Sequence, residues 1–359
     1  MNNSLLKYIN KKHFPKSYLF APEWIVLGVN NVCNLHCKMC DVGTQNMETV
    51  FAQNLIGTHP INMPLQLLQK IIDQVATYYP TTKLGYAFTE PLVYPHLEES
   101  LFYAKKKGIK TSITTNALTL KHKAKRLVDG GLNELYISLD GPQDIHNEIR
   151  GHKKSFQKAV EGINEVLTLN PKQEISIFCV ITEWNIGYLE EFLDFFKDYP
   201  LVQIGFMHTN FTPSHVAETH NSIWANTYPA TASNVEEVNI DNFDLDTLWE
   251  EIIAIKAQKH KFGVSFSPEI ETKEKLKEFY HKPEIMIGKL CNDVFSNIMI
   301  KSDGSVIPAH GRCYNISLGN IYDTSLKEIW GSNELKKFRS DLIANGGLLP
   351  ACSRCCSAF

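Results

Sequence analysis

Nine cysteines occur in 359 residues, and three crowd into one short stretch, Cys33-Asn34-Leu35-His36-Cys37-Lys38-Met39-Cys40. This C-x3-C-x2-C spacing follows an apolar, strand-like run, Trp24-Ile25-Val26-Leu27-Gly28-Val29. One loop can therefore turn three thiolates toward a single point. Cluster iron takes thiolate ligands, and a cubane normally needs four. Three thiolates leave one iron open to a substrate or cofactor. A structural zinc site or a local disulfide would use the same residues, but zinc sites usually show paired C-x2-C or Cys/His spacings. The pattern predicts an iron–sulfur site at Cys33, Cys37 and Cys40.

A second constellation lies in the last quarter of the chain. Cys291 precedes a hairpin pattern over 296–308 whose turn is Ser302-Asp303-Gly304, and Asp-Gly is a strong hairpin signal. Cys313 follows, then Leu318-Gly319-Asn320-Ile321, a helical pattern over 325–344, and Cys352-Ser353-Arg354-Cys355-Cys356. Four thiolates split between a hairpin and a distant C-x2-C can enclose a second metal site, and a zinc ribbon would use the same donors. Cys179, inside an apolar run over 174–181, reads as a small core hydrophobe.

The elements that must carry these loops alternate. Strands are expected over 24–30, 83–88, 109–115, 134–139, 174–181 and 202–207, with helices over 64–79, 95–107, 121–129, 155–169 and 186–197. Such βα alternation implies a parallel sheet covered on both faces, and six units are too few to close an eight-stranded barrel. In parallel α/β barrels chemistry sits at the carboxyl ends of the strands. Those ends carry the cysteine loop, then Phe88-Thr89-Glu90-Pro91, Thr114-Thr115-Asn116 and Ser138-Leu139-Asp140-Gly141, with Arg150-Gly151 shortly after. The polar, irregular segment 208–243 would cover the mouth, placing His208 and Asn210 near a substrate. A helix over 245–260 and a short strand over 264–266 close the core. The expected organisation is a lead-in (1–23), a barrel (24–266) with the insertion 208–243, a connector (267–284) and a cysteine-rich module (285–359).

A hydrophobic content of 43% can bury a large core. A formal charge of −3 and a pI near 6.5 give no electrostatic footprint for nucleic acid. Lys105-Lys106-Lys107 and Lys121-His122-Lys123 read as solvated helix faces. No secretory signal or membrane span is visible, so a cytoplasmic location without membrane contact is expected. That reducing compartment argues against disulfides.

The stretch from Asn30 to Cys40 resembles the signature loop of the radical S-adenosylmethionine (SAM) enzymes. The resemblance implies an α/β fold, an open six-unit partial barrel, and a 4Fe–4S cluster whose fourth iron SAM chelates. Reductive cleavage of SAM would then give a 5′-deoxyadenosyl radical. Met39 stands where the family usually places an aromatic residue near the adenine. Phe88-Thr89-Glu90-Pro91 resembles the family's G-G-E-P segment, so Thr89 and Glu90 would hold the SAM amino group. Asn116, in a T-N-G-like segment ending here in Ala117, and Ser138 and Asp140, in an S-L-D-G segment, would meet the ribose. Arg150 resembles the arginine that meets the SAM carboxylate.

The text D-G-x-V-x-P, G-N-I, I-W and C-x2-C near the C-terminus is similar to the twitch module, a shortened relative of the SPASM module. This implies a second, auxiliary 4Fe–4S cluster on Cys291, Cys313, Cys352 and Cys355. The family's second cysteine directly follows the hairpin proline. Here Ala309 takes that place and Cys313 comes later, with His310 as an alternative donor and Cys356 as an alternative to Cys355. The implied activity is hydrogen-atom abstraction from a peptide or a small polar substrate, the auxiliary cluster accepting the electron, with flavodoxin or ferredoxin as reductant. His208 and Cys356 are the catalytic candidates, Cys356 as the hydrogen donor if the enzyme is instead an epimerase. A non-catalytic iron–sulfur or zinc protein is the alternative outside enzymes.

Overall fold

The computed structural model describes residues 3–358. Nine strands form one sheet: β1 (Trp24–Leu27), β2 (Lys83–Tyr86), β3 (Thr111–Thr115), β4 (Glu134–Ser138), β5 (Glu174–Ile181), β6 (Gln203–His208), β7 (Gly263–Ser267), β8 (Asn297–Ile300) and β9 (Val306–Pro308). Their order is β7-β6-β5-β4-β3-β2-β1-β8-β9. The first seven run parallel, each beside its neighbour in sequence. The parallel sheet is what the βα alternation predicts, and the open, partial α/β barrel is what the family resemblance implied, with a seventh parallel strand added.

The core lies against this sheet, where Leu84, Ile113, Leu135, Ile137, Ile177 and Ile204 are completely buried. The helix Leu65–Tyr78 buries Leu67, Leu68, Ile71, Ile72 and Val75 along one stripe. Each such side chain contributes about 1.5–3 kcal/mol of hydrophobic stabilisation.

The expected hairpin forms, and it joins the barrel. β8 lies parallel to β1 with Trp24 opposite Asn297 and Leu27 opposite Ile300, while β9 pairs antiparallel with β8. A small apolar cluster of Val26, Phe51, Leu55, Met299 and Ile307 fills this seam. The strand that launches the first cysteine loop is thus bonded to the strand that precedes Cys313.

Several segments depart from the sequence expectation. The helical pattern over 325–344 is two helices, Leu326–Trp330 and Asn333–Ala344, because Ser332 caps the second through the Leu335 N–H. The connector holds the helix Lys273–His281, and the polar insertion holds Ser214–Trp224. Two further helices, Val50–Ile56 and Gln143–Ile149, are too short to show a period in sequence. Both turn out to position the site.

Candidate functional site

The cysteine loop is held from two directions. The Lys38 N–H donates to the Ile149 carbonyl at 2.8 Å, tying the loop to the end of the helix Gln143–Ile149. Gly43 packs so closely that a Cβ there would stand 2.6 Å from the Cys37 nitrogen. Gly151, at φ +66°, leaves room for the His36 carbonyl, which a Cβ would approach to 2.8 Å. Cys37 is buried, and Cys33 and Cys40 are half-buried. Burial pushes the Cys37 thiol up to about 12, with the Arg150 guanidinium opposing it. Burial likewise raises Cys33. Three adjacent thiols, one of them buried, form a donor set suited to a multiply charged metal centre, whose charge offsets the burial that opposes ionisation at Cys33 and Cys37.

Around this loop lie the other strand-end residues. Glu90 is buried, and its carboxylate accepts from the Leu92 N–H at 2.9 Å, the Thr115 hydroxyl at 2.7 Å and the Asn116 N–H at 2.8 Å. Asn116 donates to Asn34, inside the cysteine loop, at 2.8 Å. Thr89 donates to the Asn30 carbonyl at 2.9 Å, and Asn30 donates to the Glu90 carbonyl at 3.0 Å. Arg150 donates through Nε to Asp140, and its Nη1 lies 3.7 Å from Cys37 Sγ. The second Asp140 oxygen accepts from the Val180 N–H at 3.0 Å. Met39 is buried in the main core cluster, and Ser138 is half-buried at the end of β4. Thr89, Glu90, Asn116, Asp140 and Arg150, read as cofactor contacts, are thus bonded to the loop directly or through one another, whereas Ser138 makes no such bond among the described residues. Asp140, completely buried, is bonded here to Arg150 and to the backbone, where the sequence suggested the ribose.

The second cysteine set is also assembled from separate elements. The Cys291 N–H donates to the Gly347 carbonyl at 3.2 Å. Tyr314 Oη lies 3.3 Å from Cys352 Sγ. Burial raises Cys291 and Cys313 well above the usual thiol range, followed by the charge of Cys313 on the former and of Cys352 and Cys355 on the latter. Cys291, Cys313, Cys352 and Cys355 therefore share one electrostatic neighbourhood. Their donor set fits a thiolate-ligated cluster on the same argument as the first. Potential ligand atoms of His310, Cys355 and Cys356 also lie within 4.8 Å of one another.

Arg354, between the last cysteines, fixes this tail. Its guanidinium donates to the carbonyls of Glu278, Phe279 and Lys282 at the end of the helix Lys273–His281, and to Ile285. The helix C-terminus supplies partial negative charge to receive it. Arg354 has no role in the sequence analysis, although a lone arginine inside a C-x2-C pair was the available signal.

One cavity borders the second cysteine set and reaches the start of the helix Val50–Ile56, which follows the first cysteine loop. Its walls include Phe51, Phe211, Arg312, Tyr314 and the four cysteines Cys291, Cys313, Cys352 and Cys355. Asp41, next to Cys40, is completely buried and accepts from the Ser233 hydroxyl at 2.6 Å and the Asn234 N–H at 3.2 Å. This draws the insertion against the cysteine loop. Asn54, in the helix Val50–Ile56, donates to the Gly311 and Cys313 carbonyls at 2.9 Å each.

Neither catalytic candidate lines this cavity, although Cys356 lies next to its wall residues His310 and Cys355. His208 is buried under the helix Lys273–His281, where Nδ1 lies 2.8 Å from Tyr280 Oη. Desolvation lowers its pKa to about 3. Asn210 and Phe211 reach the cavity in its place. Cys356 faces a separate recess formed with residues 267–271 and 287–289. The insertion's His220 stacks on Tyr314 at 5.1 Å and is bonded to the Tyr228 carbonyl at 2.6 Å, so it joins the insertion to the cysteine module.

Residues 28–215, just over half of the chain, match the radical SAM superfamily, and residues 291–356 match SPASM, an iron–sulfur cluster-binding domain. The chain belongs to the radical SAM superfamily. Membership brings a 4Fe–4S cluster and SAM as cofactors, and the SPASM domain adds auxiliary iron–sulfur binding. This radical SAM enzyme is 25% identical over 359 aligned positions to the tungsten-containing aldehyde ferredoxin oxidoreductase cofactor-modifying protein of Pyrococcus furiosus, covering 93% of this chain and 87% of that one. Its fold is similar to that of SuiB from Streptococcus suis bound to the precursor peptide SuiA, with a TM-score of 0.62 and 17% identity over 90% of this chain and 68% of that one. It is also similar to anSMEcpe bound to AdoMet and the Cp18Cys peptide, with a TM-score of 0.55 and 19% identity over 88% and 81% of the two chains. Among the described residues no helix is long and apolar enough to cross a membrane.

Proposed function

We propose that this chain is a radical SAM oxidoreductase that removes a hydrogen atom from a peptide or a small polar substrate. Cys33, Cys37 and Cys40 hold the SAM-binding 4Fe–4S cluster, and Cys291, Cys313, Cys352 and Cys355 hold an auxiliary 4Fe–4S cluster. When bound, the first cluster supplies the electron that splits SAM to a 5′-deoxyadenosyl radical, and the second can accept the electron left on the substrate. Glu90, Asn116 and Arg150 orient SAM beside the loop, with Asp140 holding Arg150 in place and Thr89 bracing Asn30. Ser138 lies toward the ribose and Met39 toward the adenine. The insertion shields the substrate from water.

The observation that carries this reading is the cavity bordered by all four C-terminal cysteines and by Phe51, in the helix that follows the first cysteine loop. A substrate there would lie close to the auxiliary centre. The solved complexes of SuiB and anSMEcpe each hold a peptide, which favours a peptide over a small molecule.

Anaerobically reconstituted and reduced protein should convert SAM to 5′-deoxyadenosine and methionine. Cys37→Ala should abolish that conversion while keeping roughly half of the iron, as expected if each cysteine set holds its own cluster. Unchanged SAM cleavage in this variant would refute the assignment.

A further inference from the structure

Among the basic side chains on the cavity wall, two are fully engaged. Arg354 is bound by backbone carbonyls. His310 lies 2.8 Å from Ser357 Oγ through Nε2, while its Nδ1 accepts from the Arg312 N–H at 3.1 Å. Arg312 differs. Its guanidinium carbon lies 4.0 Å from the Phe51 ring centroid. Among the described residues it has no carboxylate within ion-pair distance, and its backbone N–H carries its one side-chain-accepted bond. Asp41 is the carboxylate that feels its charge most directly, but Asp41 is already bonded to Ser233 and Asn234. No Asp or Glu is among the described residues lining the cavity.

A half-buried guanidinium in an apolar, cysteine-lined cavity, with no anion of its own, is set to receive one. Stacking on Phe51 fixes the guanidinium plane and leaves its N–H edges available for a two-point bond. The backbone cannot swing away, because Asn54 clasps the carbonyls on both sides of Arg312 at 2.9 Å. Gly311 is also wedged against Leu55, where a Cβ would come within 2.6 Å.

Building on the proposed function, we infer that Arg312 is a substrate-positioning residue that binds a substrate carboxylate in the cavity bordered by the auxiliary cysteines and the start of the helix Val50–Ile56. The carboxylate belongs to an acidic side chain or C-terminus of a peptide, or to a small carboxylic acid, and the shared chemistry is the arginine–carboxylate pair.

The test uses a synthetic peptide pool in which every Asp- or Glu-bearing member has an Asn or Gln twin. The pool is passed anaerobically over immobilised, reconstituted protein, and the retained fraction is read by mass spectrometry. A second arm competes the retained peptides with small dicarboxylic acids and their diamides. The wild type should retain acid twins at least tenfold over amide twins, Arg312→Gln should lose the preference, and Arg312→Lys should keep part of it. Retention of small acids without acidic peptides would assign the carboxylate to a small molecule. Equal retention of acids and amides by the wild type overturns the inference, as does a preference that survives Arg312→Gln. A variant that keeps the acid preference but shifts the auxiliary cluster's potential would place Arg312 in charge balance of the thiolates, also overturning it. Iron content reports folding for both variants, and the wild-type acid-to-amide ratio decides even if neither variant folds. Substrate-free SAM cleavage by the wild type tests the underlying reading separately.

Discussion

Two residues stand in left-handed backbone where the resembled family carries glycine: Phe88 at φ +85° and Ala117 at φ +60°. A side chain there costs about 1–2 kcal/mol. Phe88 uses that position to place its ring 6.4 Å from Phe51 and 6.0 Å from His310, between the two cysteine regions. Ala117 is completely buried in the main core, so its packed methyl offsets part of the strain, and its N–H is held by Thr115 at 2.9 Å. Relief of about 1–2 kcal/mol of strain in Ala117→Gly is set against about 0.8 kcal/mol of lost methyl burial and the backbone entropy of glycine, so the stability read from the denaturant midpoint should hold or move down by no more than about 1 kcal/mol. A loss well above about 1 kcal/mol would contradict the strain argument. His208 makes a second residue-scale prediction. Its folded pKa of about 3 lies below the unfolded value of roughly 6.5. Its contribution is therefore complete above pH 6.5 and is lost as the pH falls toward 3, because the unfolded chain takes up a proton that the native site refuses. About 2 kcal/mol should be gone by pH 5. His208→Gln should flatten the fall in stability between pH 7.5 and 5, and an unchanged slope would remove His208 as its source.

The elements that decide the site are short ones. The helix Gln143–Ile149 brings Ile149 onto Lys38 and Arg150 onto Cys37, and His146 within it accepts from the Asp140 N–H at 3.0 Å. The helix Lys273–His281 serves the other cysteine set by receiving Arg354 at its C-terminus. Arg354→Met leaves several carbonyls without their donor and should destabilise the protein by about 2–4 kcal/mol. It should also lower auxiliary iron while leaving the iron at Cys33, Cys37 and Cys40 in place, as measured by iron content in a Cys37→Ala background and in the wild type. Arg354→Lys should restore little, since one ammonium cannot span carbonyls that a planar guanidinium reaches. Equal loss from both sites would show that Arg354 supports the whole fold rather than one cysteine set.

At the scale of the molecule, the sheet is what relates the two cysteine regions. β8 covers the edge of β1, and Met299 and Ile307 complete the apolar seam with Val26, Phe51 and Leu55. A chain ending at residue 284 would expose that edge and seam, so it should aggregate or run as an oligomer on size-exclusion chromatography. A monodisperse, stable fragment would show instead that the barrel stands without the hairpin. The parallel sheet of β1 to β6 was readable in the sequence because each strand is a local apolar run and most connections carry a local helical period; the parallel pairing of β7, reached through the irregular insertion, was not. The cysteine spacings were readable for the same reason: three ligands on one loop need no long-range information. The role of Arg312, the capping by Arg354 and the burial of His208 were not readable. Each depends on which distant helix or strand covers the residue, and sequence periodicity describes an element's own faces but not its partner. The chain by itself therefore determined the donor sets and the sheet that presents them. Only the tertiary structure decided which polar side chains are enclosed by backbone and which are left facing the cavity, because burial is a property of the packed assembly.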